Sequence, residues 1–206
     1  MDEPTTEPEG GGAHGFDSTL VTERASRRKR RRHHSGARQA IEWVILIGAA
    51  LAIALLIKTF LFQAFYIPSA SMVPTLKEHD RVLVNKLSYK VHDVHRGDIV
   101  VFTKPKSEQS DIHDLVKRVI GLPGETVEGR DGHIYIDGKL LKEPYLKQAA
   151  VGAPFSAQTL GDDEVWVMGD NRAESRDSRY FGPIKEKTIV GRVFVRIWPL
   201  SRIGFL

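Results

Sequence analysis

From Ile41 the chain reads IEWVILIGAALAIALLIKTFLFQAF, and the stretch from Trp43 to Ile57 has no charged side chain. A hydrocarbon core about 30 Å thick is crossed by about 20 predominantly apolar helical residues, and Ile41 to Phe62 supply them. Whatever lies before this run and whatever follows it must therefore fold apart. Lys58, near the far end, has a stem long enough to carry its ammonium to the head groups. Trp43 at one end and Phe60, Phe62 and Phe65 at the other suit the two interfaces. The run is longer than the about 7–15 residues of a secretory signal core. The expectation is one uncleaved transmembrane anchor helix over residues 37–65.

Residues 1–36 are rich in Glu, Pro, Gly, Thr, Ser, Arg and His and poor in large apolar side chains, the composition of a disordered tail. The run RRKRRRHH at 27–34 more than accounts for the net charge of +4. Such a run elsewhere reads as a nucleic-acid patch. Directly before an apolar span it instead holds its end on the cytoplasmic side. The tail is thus expected inside, residues 66–206 outside, and no nucleic-acid partner is expected. There is no cysteine, which excludes disulfides, thiolate catalysis and Cys-based zinc sites.

Beyond Ser69 the pattern changes to short alternating or β-branched runs between turn signals. DRVLVNKLSY, DIVVFTK, DLVKRVIGL, GHIYIDGKLL, EVWVMGD and VGRVFVRIWPL read as strands. RGD at 96–98, LPGE at 122–125, RDG at 130–132 and DG at 137–138 mark turns, and RDGHIYIDGKLL reads as hairpin material. The fold class is therefore mainly β, an antiparallel sheet domain preceded by one transmembrane helix. A single helical turn is expected near Pro74 to Glu78. Phe62, Phe65, Tyr66 and the terminal IGFL suit either a lipid surface or the core.

Three segments hold candidate chemistry. YIPSASMVPTL at 66–76 sets Ser69, Ser71 and Thr75 between Pro68 and Pro74, which restrict the backbone on either side. In DLVKRVIGLPGE, a strand would put Lys117 on one face with Leu115 and Val119, and Arg118 on the other with Val116 and Ile120. MGDNRAESRDSRYFGPI at 168–184 is polar, with charges of mixed sign that suit an ion-pair network. Each alone reads first as a loop, a snorkelling lysine and a solvated turn.

Taken together and in order, IPSASMVPTL, DRVLVNKLSY, RGDIVVF, KRVIGLPGE and GDNRAESRDSRYFG resemble the bacterial type I signal peptidases. These are membrane-bound serine proteases that remove signal peptides. The resemblance implies that Ser71 is the nucleophile and Lys117 its general base. Ser69 and the backbone N–H of Ser71 would form the oxyanion hole, and Ser175 would orient the lysine amine. Asp170, Asp177 and Arg179 would support the site. Ile67, Pro68, Met72, Leu76, Val82, Val101 and Val116 would line small apolar subsites, although strand alternation sets Val116 opposite Lys117. The implied activity is an acyl-enzyme endopeptidase cutting exported preproteins after an Ala-x-Ala pattern. Its partners would be those preproteins, the lipid bilayer and a secretion translocon, and its place a bacterial cell membrane, crossed once with the N-terminus cytoplasmic. No cofactor or metal is implied. Residues 126–164 are a short β-insertion, and only one span is visible, whereas some relatives have two.

A lysine base needs a reason to be neutral. At the usual value of about 10.4 roughly one amine in a thousand is neutral near pH 7.4. Burial disfavours the ammonium and lowers that value by units. Histidine, the usual base, forms no convincing triad: His79, His92, His95, His113 and His133 sit in or beside polar turns, and HDVH at 92–95 lacks a third metal ligand. Other readings are another membrane-tethered Ser-Lys hydrolase, or a non-catalytic β-domain binding envelope partners.

Overall fold

The computed structural model describes residues 18–109, 111–146 and 153–206, with 18–35 and 58–60 described by backbone alone. Helix α1 runs Ser18–Phe60. Within it Gly36–Ile57 is long and apolar enough to cross a membrane, with a mean hydropathy of 2.6 and no buried residue. At 1.5 Å per residue these 22 residues span about 33 Å, which matches a hydrocarbon core.

Two expectations change at the ends of this helix. The helix continues back through the basic run to Ser18, where a disordered tail was expected. Arg, Lys and Ala are good helix formers, and extending an existing helix needs no new nucleus. Residues 1–17 lie outside the described residues, as do the side chains of the basic run and of Lys58 and Phe60. At the other end the helix stops at Phe60 rather than at residue 65. Leu61 N–H donates to the Ile57 carbonyl at 2.9 Å, and the Leu61 carbonyl already accepts from Lys86 N–H at 2.9 Å. Phe62–Tyr66 is a strand, in which aromatic side chains pack well.

The strands follow in chain order: β1 (Phe62–Tyr66), β2 (Arg81–Asn85), β3 (Ile99–Thr103), β4 (Asp114–Gly121), β5 (Thr126–Arg130) and β6 (His133–Ile136). Then come β7 (Lys139–Leu140), β8 (Phe155–Thr159), β9 (Glu164–Met168), β10 (Ile184–Lys185), β11 (Ile189–Trp198) and β12 (Gly204–Phe205). Single-turn helices α2 (Ser88–Val91) and α3 (Ser178–Phe181) interrupt them. The main sheet has the order β1-β2-β11-β3-β4-β9-β10, with β12 also on β11, and every pairing is antiparallel. The smaller sheet has the order β7-β6-β5-β8.

Both hairpin turns of the smaller sheet are Asp-Gly pairs. Asp131–Gly132 (φ 51° and 75°) and Asp137–Gly138 (φ 48° and 74°) each hold two left-handed residues, the type I′ geometry that matches strand twist. In the main sheet, alternation along β2 buries Val82 and Val84 and leaves Arg81 exposed. Val82 and Val84 join Ile67, Met72, Leu76, Ile99, Val101 and Val193 in one core cluster. Val100, Phe102, Val119 and Val167 build a second, and Ile120, Val127, Trp166 and Met168 a third beneath the small sheet. Of the groups left open between lipid and core, Phe65 and Leu206 pack against the first cluster. Tyr66, Ile203 and Phe205 are exposed.

Candidate active site

The expected helical turn at Pro74–Glu78 sits earlier, as a 3-10 turn over Ala70–Met72. Met72 is 1 % exposed and anchors the turn in the first core cluster, which lifts Ser71 toward the groove. The loop after β9 clamps the same turn from behind. Asn171 N–H donates to the Ser71 carbonyl at 3.0 Å, and Asn171 Nδ2 donates to the Ala70 carbonyl at 3.3 Å. The expected site residues do not include Asn171. Its signal lay in GDNR, where an amide next to an aspartate read simply as a turn.

Lys117 comes from β4. Its Nζ lies 2.7 Å from Ser71 Oγ, and Ser69 Oγ lies 3.3 Å from the same atom. Lys117 is 4 % exposed. Burial lowers its pKa from 10.5 to about 8. Asp177, Glu108 and Asp170 oppose that shift by favouring the ammonium, and Arg179 assists it. Desolvation wins because the amine has left water while the carboxylates beside it are engaged elsewhere.

Glu108 pairs with the exposed Arg176, and the other two carboxylates form buried ion pairs. Asp170 accepts from Arg118 Nε at 2.8 Å and from the Arg118 terminal nitrogen at 2.7 Å. Thr75 Oγ1 donates to the same carboxylate at 2.5 Å, which ties the serine loop to β4 and to the loop after β9. The Arg118 guanidinium lies 4.0 Å from the centre of the Tyr145 ring. Asp177 accepts from Arg179 Nε and its terminal nitrogen, both at 2.8 Å, and from Gly169 N–H at 3.0 Å. Asp177 also caps α3. Asp170 thus holds three chain segments in register by charge-assisted hydrogen bonds, while the Asp177–Arg179 pair braces the segment 169–179.

Gly169 is where the segments come closest. A Cβ there would stand 2.2 Å from Ser175 Oγ and 2.4 Å from the Ser71 carbonyl oxygen. Ser175 is 3 % exposed and its hydroxyl has no hydrogen-bond partner among the described residues. It is turned against Gly169 and makes no bond to Lys117, unlike the contact the resemblance implied.

A groove of about 230 Å³ runs past Ser71. Of the expected subsite residues, Ile67, Pro68, Met72 and Val116 line it, together with Phe65 and Ile112. Leu76, Val82 and Val101 do not. Each is 0 % exposed and lies in the core cluster behind the lining, because their strand and loop positions point inward. Val116 and Lys117 both face the groove although alternation sets them on opposite faces of β4. The groove runs along the strand's edge: β9 pairs with β4 only from Arg118 onward, so Asp114–Lys117 has a partner, β3, on one side alone.

Histidine stays outside this arrangement. His113 is exposed and bonds Asp114 at 2.8 Å, and none of the described histidines hydrogen-bonds Ser71.

Residues 40–198 match the family described as signal peptidase, peptidase S26. A probable signal peptidase I-2 from Synechocystis sp. is 42% identical over 76% of this chain and 72% of its own length. A signal peptidase I from Leptolyngbya laminosa is 41% identical over 81% of this chain and 83% of its own. Signal peptidase IB from Staphylococcus aureus is 37% identical over 82% of this chain and 94% of its own. A crystal structure of a signal peptidase I from Enterococcus faecalis V583 superposes with a TM-score of 0.43 at 36% identity, over 49% of this chain and 97% of that one. Since the matched segment runs from the apolar helix to the end of β11 and takes in every residue assembled around Ser71, the chain belongs to the signal peptidase family, peptidase S26.

Proposed function

We propose that Ser71 and Lys117 form the catalytic dyad of a membrane-tethered signal peptidase I. As a member of its family the chain is a hydrolase of the serine protease kind. The finer reading is that neutral Lys117 accepts the Ser71 proton as Oγ adds to the scissile carbonyl carbon. The resulting oxyanion is held by the Ser71 N–H and the Ser69 hydroxyl. As the C–N bond breaks, the lysine ammonium returns its proton to the leaving amine and an ester to Ser71 remains. Water then adds to that ester, giving a proton to Lys117, and Oγ departs with it. The observation that carries this reading is the 2.7 Å contact between a buried amine and the hydroxyl of a clamped serine.

The groove supports the choice of substrate. Lys104 N–H bonds the His113 carbonyl, and Val119 N–H the Asp98 carbonyl. By antiparallel alternation Leu115 and Lys117 also bond β3, which leaves the N–H and C=O of Asp114 and Val116 directed into the groove. An extended peptide adding along this edge is aligned by main-chain bonds. Ile67, Met72 and Val116, with Leu76, Val82 and Val101 behind them, leave room for alanine and exclude larger side chains. The substrates are preproteins whose signal peptides end in Ala-x-Ala. In this reading the segment before the span is cytoplasmic and residues 66–206 are outside, so the active site meets a signal peptide as it leaves the bilayer.

The test is direct. The detergent-solubilised full chain is incubated with an exported precursor and the new N-terminus is sequenced. Cleavage after the small residue is expected, with Ser71→Ala and Lys117→Ala inactive and His113→Ala active. A Lys117→Ala protein that still cuts, or a His113→Ala protein that does not, overturns the dyad.

A further inference from the structure

A second cavity, of about 330 Å³, shares no lining residue with the Ser71 groove. It opens where β2 ends and β11 begins, and these strands are neighbours there through Asn85 and Arg192. Lys86, Lys90 and Lys187 stand around it, with one acid, Glu186. The rings and branches of Tyr89, Ile189 and Val190 make its apolar wall. The Tyr89 hydroxyl is engaged by Asp98 at 3.0 Å, which fixes the ring.

Its depth follows from the chain. Leu61 closes the last helical bond to Ile57, the final residue of the apolar span. At 1.5 Å per residue, Leu61 stands about 6 Å past that residue along the helix. The polar head-group layer is about 5–8 Å thick on each side of a bilayer. Lys86 N–H is bonded to the Leu61 carbonyl, so with Ile57 at the edge of the hydrocarbon this rim of the cavity would lie within the head-group layer.

The lining carries more positive than negative charge, although Lys187 also feels Asp163 just outside it. Among the described residues Lys86, Lys90 and Lys187 make no ion pair. Arg96, Arg118, Arg172, Arg179, Arg192 and Arg202 each have a carboxylate partner. Burial, with Asp93 and Asp163 nearby, pushes the Glu186 carboxyl up.

We propose that this cavity holds the phosphodiester head group of an anionic membrane lipid and so pins the β-domain at the bilayer surface. Lysine ammoniums are compact donors suited to phosphate oxygens. The apolar wall suits the glycerol and the first methylenes. The reading goes beyond catalysis and uses none of its residues.

The test places the full chain in nanodiscs of phosphatidylcholine, with or without phosphatidylglycerol, and maps lysine acylation by mass spectrometry. Exposed Lys139 and Lys142 on the small-sheet segment serve as the internal standard. Phosphatidylglycerol is expected to slow labelling of Lys86, Lys90 and Lys187 by about tenfold relative to that standard, with inorganic phosphate giving no protection. In native mass spectra the wild type is expected to retain phosphatidylglycerol, and the K86Q/K90Q/K187Q variant about tenfold less. Equal labelling with and without the anionic lipid overturns the proposal, as does equal protection by free phosphate. Cleavage of a soluble peptide checks that the variant folds. Should it fail to fold, the wild-type labelling decides alone. Neither outcome bears on the dyad, which the precursor assay tests separately.

Discussion

Lys117 Nζ and Ser71 Oγ meet at 2.7 Å across 46 positions of sequence, and the lysine is all but removed from solvent. The distance suits direct proton transfer and the burial sets its direction. A solvated lysine at the same distance would stay charged and could not accept a proton.

Activity should therefore follow the neutral fraction of Lys117. With a pKa of about 8, about one amine in ten is neutral at pH 7. The rate, measured as kcat/KM on a peptide substrate, is expected to rise through pH 8 to a plateau. Well below that point it should fall about tenfold for each pH unit. A flat profile between pH 5 and pH 9 would count against lysine as the base.

The same burial makes the lysine a liability for stability, with a definite sign. The folded pKa of about 8 lies below the 10.5 of an exposed lysine, so between these values the unfolded chain binds a proton that the folded one does not. The folded state is penalised as pH falls through this window, by up to about 3 kcal/mol below pH 8. Lys117→Met should be inactive yet more stable than the wild type at pH 7, with the gain vanishing near pH 10.5. Denaturant titrations at both pH values measure this.

Arg118 and Asp170 hold β4 against the loop after β9, and Asp170 holds Thr75 of the serine loop. The carboxylate is 0 % exposed, so removing its partner strands a buried charge. Arg118→Met is expected to cost about 3–5 kcal/mol. Replacing both residues by apolar ones should cost less than the sum of the single changes. A double-mutant cycle on thermal unfolding reads the difference.

Gly169→Ala tests the close approach of Ser175 and the Ser71 carbonyl. A methyl group at 2.2 Å and 2.4 Å must displace both of them. The expected loss of stability is about 1–3 kcal/mol. A larger effect on kcat than on KM should accompany it, because the Ser71 carbonyl belongs to the turn that carries the proposed nucleophile. A fully active Gly169→Ala protein would mean that the turn is not held as described.

The long apolar helix, the β class of the domain, the Asp-Gly hairpins and the order of the polar boxes were all determined by the sequence itself. Each rests on a local pattern: apolar length, period-two alternation, or residues that accept left-handed φ. Local pattern also misplaced what tertiary contacts decide. Phe62–Tyr66 reads as the end of an apolar helix, yet pairing with Arg81–Asn85 makes it a strand. Alternation separates Val116 from Lys117, but the stretch of β4 left without β9 lets both reach one groove. Leu76, Val82 and Val101 look equivalent to Ile67 and Met72 as small-pocket residues, and only packing puts the first three behind the lining. The neutral amine itself belongs to the tertiary structure. A lysine in a strand pattern says nothing about its pKa until segments far apart in the chain close over it and exclude water.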